Sequence, residues 1–178
     1  RLRLCVDKTQ EMVTDVRRMA MALRPTVIDT SGVLVALTRL CQELKDIVRG
    51  LSVHLTTDVE ERDIDEGLKI HIFRIVQEAL NNVIKYAEAR NVWIKLDRCG
   101  AAIRLIVRDD GVGFDPGDTA APARGLGLSS IRQRGGLYNG QVSIESEPGR
   151  GTTVCAIWGG AAETSEASSE ALEGAGTD

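Results

Sequence analysis

"EALNNVIKYA", residues 78 to 87, lies inside a strongly apolar stretch with helical spacing. Asparagine is a weak helix former, because its side chain competes with the backbone for hydrogen bonds. Two in succession, Asn81 and Asn82, therefore require a reason. Glu78, Asn82 and Lys85 follow at four- and three-residue steps, so an α-helix projects all three from one face. Such a row reads either as a solvated helix face or as a site. In the second reading, the Asn82 amide oxygen suits Mg²⁺, a hard cation that takes oxygen ligands and rides on phosphate. Lys85 would then offset phosphate charge, and Glu78 would polarise or deprotonate an attacking group.

Working outward, Asp63 or Asp65 can cap the start of this helix, which runs to about Ala87. Before it, "LSVHLTTDV" alternates Leu51, Val53 and Leu55 as a strand does, and a helix after Gly32 carries the stripe Val33, Leu37, Leu40, Leu44 and Ile47. After it come two strands, around "NVWIKL" and "AIRLIVRD", joined near Cys99 and Gly100. A glycine-rich segment covers 111 to 127 and a helix continues to about Leu137. "GQVSIESE" and "TTVCAIW" then pair as a hairpin through "PGRG". This mixed order predicts an α/β (α+β) two-layer sandwich, a mixed sheet with helices on one face.

Residues 1 to 23 have the sharpest period. Leu2, Cys5, Thr9, Met12, Val16, Met19 and Leu23 form an a/d heptad seam, which seeks another helix in the chain or in a partner. "RPT" at 24 to 26 ends that helix, since proline disfavours helical geometry at Arg24 before it.

Composition narrows the function. The chain holds 22 basic and 26 acidic residues, and five of the acidic ones sit in the final stretch from Gly159, which has no basic residue and reads as disordered. Without that tail the body is nearly neutral, and aromatics make up only 3%. That gives no polyanion-binding excess and no stacking platform, which argues against nucleic acid as a partner. No apolar run reaches membrane-spanning length. The opening "RLRLCV" lacks a methionine, so the sequence reads as a piece of a longer protein whose membrane anchor, if it has one, lies upstream. Cys5, Cys41, Cys99 and Cys155 are scattered singly, without zinc spacing or a disulfide framework, and read as reduced thiols of a cytoplasmic protein.

Two glycine motifs follow the central helix. In "RDDGVGFDP", Ile103, Leu105, Val107 and Asp109 share one parity, so Asp109 points to the apolar side of its strand. A carboxylate there either accepts the amides of its own turn or receives a ligand donor. Gly111 and Gly113 leave room for a planar group against the backbone. In "ARGLGLSSIRQR", Gly125 and Gly127 stand where a loop turns into a helix, so the amides of Gly125, Leu126, Gly127 and Leu128 offer an anion site. The third glycine of the dinucleotide fingerprint is missing, as is any Walker lysine-serine pair. Residues 115 to 124 between the motifs are small and poorly patterned, as a mobile lid is. "GRGTT" at 149 to 153 alone reads as a hairpin turn.

In this order (Glu-x-x-x-Asn-x-x-Lys on a helix, Asp-x-Gly-x-Gly after a strand, a loose lid ended by Gly-Leu-Gly-Leu, Gly-Thr in a final hairpin) the motifs resemble the ATP-binding module of the GHKL superfamily. The likeness covers residues 51 to 158. "LRPTVIDTSGVLVALTRLCQEL" is similar to the junction of two-component sensor histidine kinases whose response regulators carry helix-turn-helix outputs. The resemblance implies a Bergerat-type fold preceded by a helix of a dimerisation bundle. Residues 1–24 would end the dimerisation and phosphoacceptor domain, 25–50 would be junction and linker helix, 51–158 the catalytic domain, and 159–178 a tail.

It further implies ATP and Mg²⁺ as ligands, a homodimer, and a response regulator as partner. Asn82 becomes the Mg²⁺ ligand and Glu78 the catalytic carboxylate. Lys85 and Tyr86 lie beside the phosphates, Asp109 accepts from the adenine amino group with Thr152 nearby, and Gly125 to Leu128 cap the triphosphate. Two positions depart from this subfamily: Tyr86 stands where histidine is usual, and Gln133-Arg134 where Glu-Arg is. No phosphoacceptor is evident. His54, in a strand, and His71, in a helix between Ile70 and Ile72, read as structural, which places the acceptor upstream. The alternatives are a serine kinase of the anti-sigma type and a regulatory domain that binds nucleotide without transferring it.

Overall fold

The computed structural model describes residues 28, 31–48, 50–116 and 122–159, without the side chains of 47 and 122–126. The heptad seam from Leu2 to Leu23, residues 117–121 of the expected lid and the tail after Gly159 lie outside them.

Helix α1, Val33–Ile47, presents Val33, Ala36, Leu37, Leu40, Cys41 and Leu44 to the interior, the stripe its three- and four-residue spacing predicts. Its first amides are capped from a distance. Glu61, in a short 3₁₀ turn at Glu61–Asp63, accepts Val33 N at 2.8 Å and Leu34 N at 3.0 Å. Buried Lys69 pairs with the same carboxylate at 3.1 Å. The helix expected to be a linker thus packs into the core of the residues that follow it.

Strand β1, Ser52–Thr57, leads to helix α2, Glu66–Asn82, whose N-cap is Asp65: its side chain accepts Gly67 N at 2.8 Å. Strands β2, Asn91–Cys99, and β3, Ala102–Asp109, follow as a hairpin across Gly100. Helix α3, Pro122–Gly135, then precedes the hairpin of β4, Gln141–Ser146, and β5, Thr152–Trp158. The sheet order is β1-β2-β3-β5-β4, with β1 and β2 parallel and the other pairs antiparallel, so the mixed sheet expected from the element order is present.

Strand parity sorts the residues between faces. Val53, Val92, Ile94, Leu96, Leu105, Val107, Val154 and Ala156 turn to the helices and are buried there with Ile72, Ile75, Val76 and Leu80 of α2 and Ile131 of α3. On the other face, Asp97 is buried in a bidentate pair with Arg104, at 2.9 and 2.7 Å, and is reached by Lys95 at 2.8 Å. Among the described residues no helix is long and apolar enough to cross a membrane.

Candidate functional site

The stretch 78–87 is not helical in one uniform way. After Asn82 the chain passes into a π turn, Val83–Ala87, ended by Glu88 in the left-handed region. The wider turn redistributes the side chains. Asn82, Val83, Tyr86 and Ala87 line a cleft between α2 and the sheet, while Lys85 points to solvent and is not among its lining residues. The even row expected of Glu78, Asn82 and Lys85 is broken because the spacing argument assumed an α-helix throughout.

The cleft opens to solvent, and the empty space within and in front of it is about 530 Å³. Its wall is apolar, from Ala79, Val83, Val107, Phe114, Leu128 and Val154. Polar groups sit at its two ends.

At one end is Asp109, 6% exposed. Its carboxylate accepts Gly111 N at 2.9 Å and the backbone amide of Thr152. Burial raises its pKa above the ordinary carboxylate value, against these two hydrogen bonds. Asp109 therefore caps its own turn, the first of the two readings, and also lines the cleft. Neighbouring Asp110 turns away, accepting Arg90 N and Asn91 N at 2.8 Å and Asn91 Nδ2 at 2.7 Å, and so fastens the end of β3 to the start of β2. The loop after Asp109 is close-packed. A Cβ on Gly111 would meet the Ala87 carbonyl oxygen at 2.3 Å, and Gly113, at φ +59°, would put one 2.0 Å from the Glu147 oxygen.

At the other end is Asn82. Its Nδ2 is buried without a hydrogen-bond partner, a costly state for a neutral amide. Which end of an amide carries the oxygen is an assignment, so the side chain can equally present its oxygen at that place. Asn82 lines the cleft, and an amide oxygen there is the kind of ligand that Mg²⁺ takes. Gly127 lies directly above: an added Cβ there would fall 2.5 Å from Glu78 Oε1 and 3.0 Å from Asn82 Oδ1. Glu78, Asn82 and Gly127 are thus brought together as the motifs imply.

The Gly-Leu-Gly-Leu motif is placed differently from the sequence expectation. Helix α3 begins at Pro122, so Gly125, Leu126, Gly127 and Leu128 lie inside it. Amides from Leu126 onward then bond to carbonyls four residues back and are not free. The overlooked signal is Pro122 itself, which is pre-set for the first helical position.

Sequence reasoning also missed Ser146. It shares parity with Val142 and Ile144 and so faces the helix layer, where a hydroxyl needs partners. It accepts Phe114 N at 2.9 Å, donates to the Gly151 oxygen at 2.9 Å and lies 3.1 Å from Thr152 Oγ1.

The sequence profile of the family described as histidine kinase-, DNA gyrase B-, and HSP90-like ATPase matches residues 67–158, more than half of the chain. The chain belongs to this ATPase family. Among curated relatives of the ATPase module, the sensor histidine kinase LiaS of Bacillus subtilis is 30% identical over 154 residues, covering 86% of this chain and 41% of that protein. The oxygen sensor histidine kinase NreB of Staphylococcus carnosus is 34% identical over 143 residues, covering 80% and 41%. The chain therefore spans about two fifths of the length of these relatives. Among solved structures, the histidine kinase domain of the Erythrobacter litoralis blue-light activated histidine kinase superposes with a TM-score of 0.57 at 20% identity, covering 71% of this chain and 60% of that one. The ATP binding domain of PrrB from Mycobacterium tuberculosis superposes at 0.51 and 21%, covering 70% and 90%. At these identities the structures show the ATPase module's fold, the expected α/β sandwich.

Proposed function

We propose that the chain is the catalytic, ATP-binding part of a two-component sensor histidine kinase. It would transfer the ATP γ-phosphoryl to a histidine on a dimerisation domain, for onward passage to an aspartate of a response regulator. The observation that carries this reading is the cleft itself: apolar walls, a buried carboxylate at one end and, on α2 at the other, a buried amide nitrogen without a hydrogen-bond partner. The family match and the relatives named as sensor histidine kinases support it.

In this reading Asp109 accepts from the adenine amino group, the apolar walls enclose the ring, and Thr152 completes the base end. Asn82 holds Mg²⁺, which when bound offsets charge on the phosphates. Tyr86 lies towards the phosphate tail, and Lys85, exposed outside the cleft, would have to turn in to reach it. Glu78 orients the acceptor imidazole or takes its proton. For Gly125 to Leu128 to reach the triphosphate, the first turns of α3 must open. Two glycines ease this, each weakening a helix by about 1 kcal/mol relative to alanine.

The acceptor belongs to another domain. His54 is on β1, stacked with Trp93 at 6.0 Å, and His71 is half-buried on α2 against Tyr138. Neither can swing to a phosphate held at Asn82 without dismantling its element. The heptad helix up to Leu23 would join a homodimeric bundle, the regulator would carry a helix-turn-helix output, and the module would work in the cytoplasm without contacting nucleic acid itself.

The test is incubation with γ-labelled Mg-ATP, with and without a separately supplied dimerisation domain. Acid-labile label on the supplied histidine alone supports the reading. Label on His54 or His71, or none on any acceptor despite bound ATP, contradicts it.

A further inference from the structure

Ser146 has a hydrogen-bond arrangement with only one consistent direction. A serine hydroxyl has one proton and two acceptor sites. The Gly151 carbonyl can only accept, so it takes the Ser146 proton at 2.9 Å. The Phe114 amide can only donate, so it fills one acceptor site at 2.9 Å. The third partner, Thr152 Oγ1 at 3.1 Å, must then be the donor, filling the other. Ser146 and Thr152 face each other across the β4–β5 ladder, so the pair is held by the sheet. Thr152 also lines the cleft beside Asp109.

The proton on Thr152 is thereby spent inside the wall, and only lone pairs of its oxygen remain for the cleft. Asp109, when ionised, likewise offers only acceptors. At the Asp109 end of the cleft these two side chains therefore offer only acceptors.

We propose that Ser146 is a positioning residue for base selectivity: by holding the Thr152 proton away from the cleft, it makes the site demand a donor from the base. A purine with a 6-amino group supplies one at that position, whereas a 6-carbonyl purine sets an oxygen there against two acceptors and keeps its only donor on that edge at N1–H. The inference rests on the nucleotide-binding reading and adds to it a residue that never touches the base. Removing the Ser146 hydroxyl frees the Thr152 hydroxyl to rotate and donate to a 6-carbonyl.

The experiment is calorimetric titration of Mg-ATP and Mg-ITP into wild type, Ser146→Ala, Thr152→Val and the double variant, each checked for a native melting transition. The ATP-over-ITP preference should fall about tenfold in Ser146→Ala, the size of one corrected polar mismatch, with ITP binding improving relative to ATP. Thr152→Val should lower the preference too, and the double variant should match Thr152→Val, because Ser146 acts through Thr152. If Ser146→Ala does not fold, an unchanged preference in Thr152→Val overturns the proposal. Equal weakening of both nucleotides in Ser146→Ala, the mark of a merely structural serine, also overturns it. So does a further change of preference in the double variant. A folded wild type that binds neither nucleotide refutes the nucleotide-binding reading itself, and this proposal with it.

Discussion

Gly127 of α3 sits against Asn82 of α2 so closely that one added methyl group would lie 3.0 Å from Asn82 Oδ1 and 2.5 Å from Glu78 Oε1. The helix backbone covers the Asn82 end of the cleft, and a larger residue there would have to push the Glu78 carboxylate and the Asn82 amide aside. Alanine favours a helix over glycine by about 1 kcal/mol, so local propensity alone predicts a gain from Gly127→Ala. The contact predicts the opposite for function. We expect Gly127→Ala to weaken Mg-ATP binding at least about tenfold, as a displaced polar contact costs, while leaving circular dichroism unchanged. Unaltered affinity would mean that Glu78 and Asn82 yield freely.

Asp109 carries a stability cost tied to its role. Burial raises its folded pKa above the unfolded value. A carboxyl shifted upward contributes stability below its unfolded pKa and loses it as pH rises through the folded pKa. Once ionised, Asp109 is therefore a burden on the free protein. Asp109→Asn, whose amide oxygen still accepts the Gly111 amide, should leave the free protein at least as stable at pH 7 in urea melts. The same variant should lose ATP affinity by about tenfold or more, because an amide reproduces the carboxylate's acceptor only in part.

Glu61 works in the opposite sense. Partial burial raises its pKa, but the amides of Leu34 and Val33 and the Lys69 ammonium outweigh this and leave it below the ordinary value. Its contribution is present above the unfolded pKa and is lost as pH falls through the folded one. Glu61→Ala should cost about 2 kcal/mol at pH 7, from a lost helix cap and a buried Lys69 left with only Glu66. Hydrogen exchange should quicken first at the amides of Val33 and Leu34. Unchanged protection there would show that α1 is held by its apolar face alone.

Much of this was legible in the sequence because it depends on period and parity. The α1 stripe, the hairpins and the core-side placement of Asp109 follow from steps of three, four and two. What escaped depends on geometry that one-dimensional spacing does not carry. The π turn at Val83–Ala87 turns Lys85 off the cleft. The start of α3 at Pro122 buries the glycine motif in a helix, although the small residues before it read as loop. Ser146 could have been suspected as a hydroxyl on an apolar parity, but its partners come from three separate segments.

Residues 115 to 124 include 117–121, which lie outside the described residues. Their small side chains and two prolines give no apolar period to anchor them. We expect fast hydrogen exchange there in the free protein and slowed exchange with a non-hydrolysable ATP analogue. Equal rates in both states would refute a lid.

Asn82 tests the account most directly, because its unpaired amide is what the magnesium assignment rests on. Alanine at this position suits the helix and removes a buried unsatisfied group, so the fold should be retained. Calorimetry of wild type and Asn82→Ala with ATP, each with Mg²⁺ and with chelator, gives the decisive comparison. The account predicts that Mg²⁺ tightens ATP binding in wild type and that this gain disappears in the folded variant. A variant that keeps wild-type affinity and wild-type magnesium dependence would contradict it.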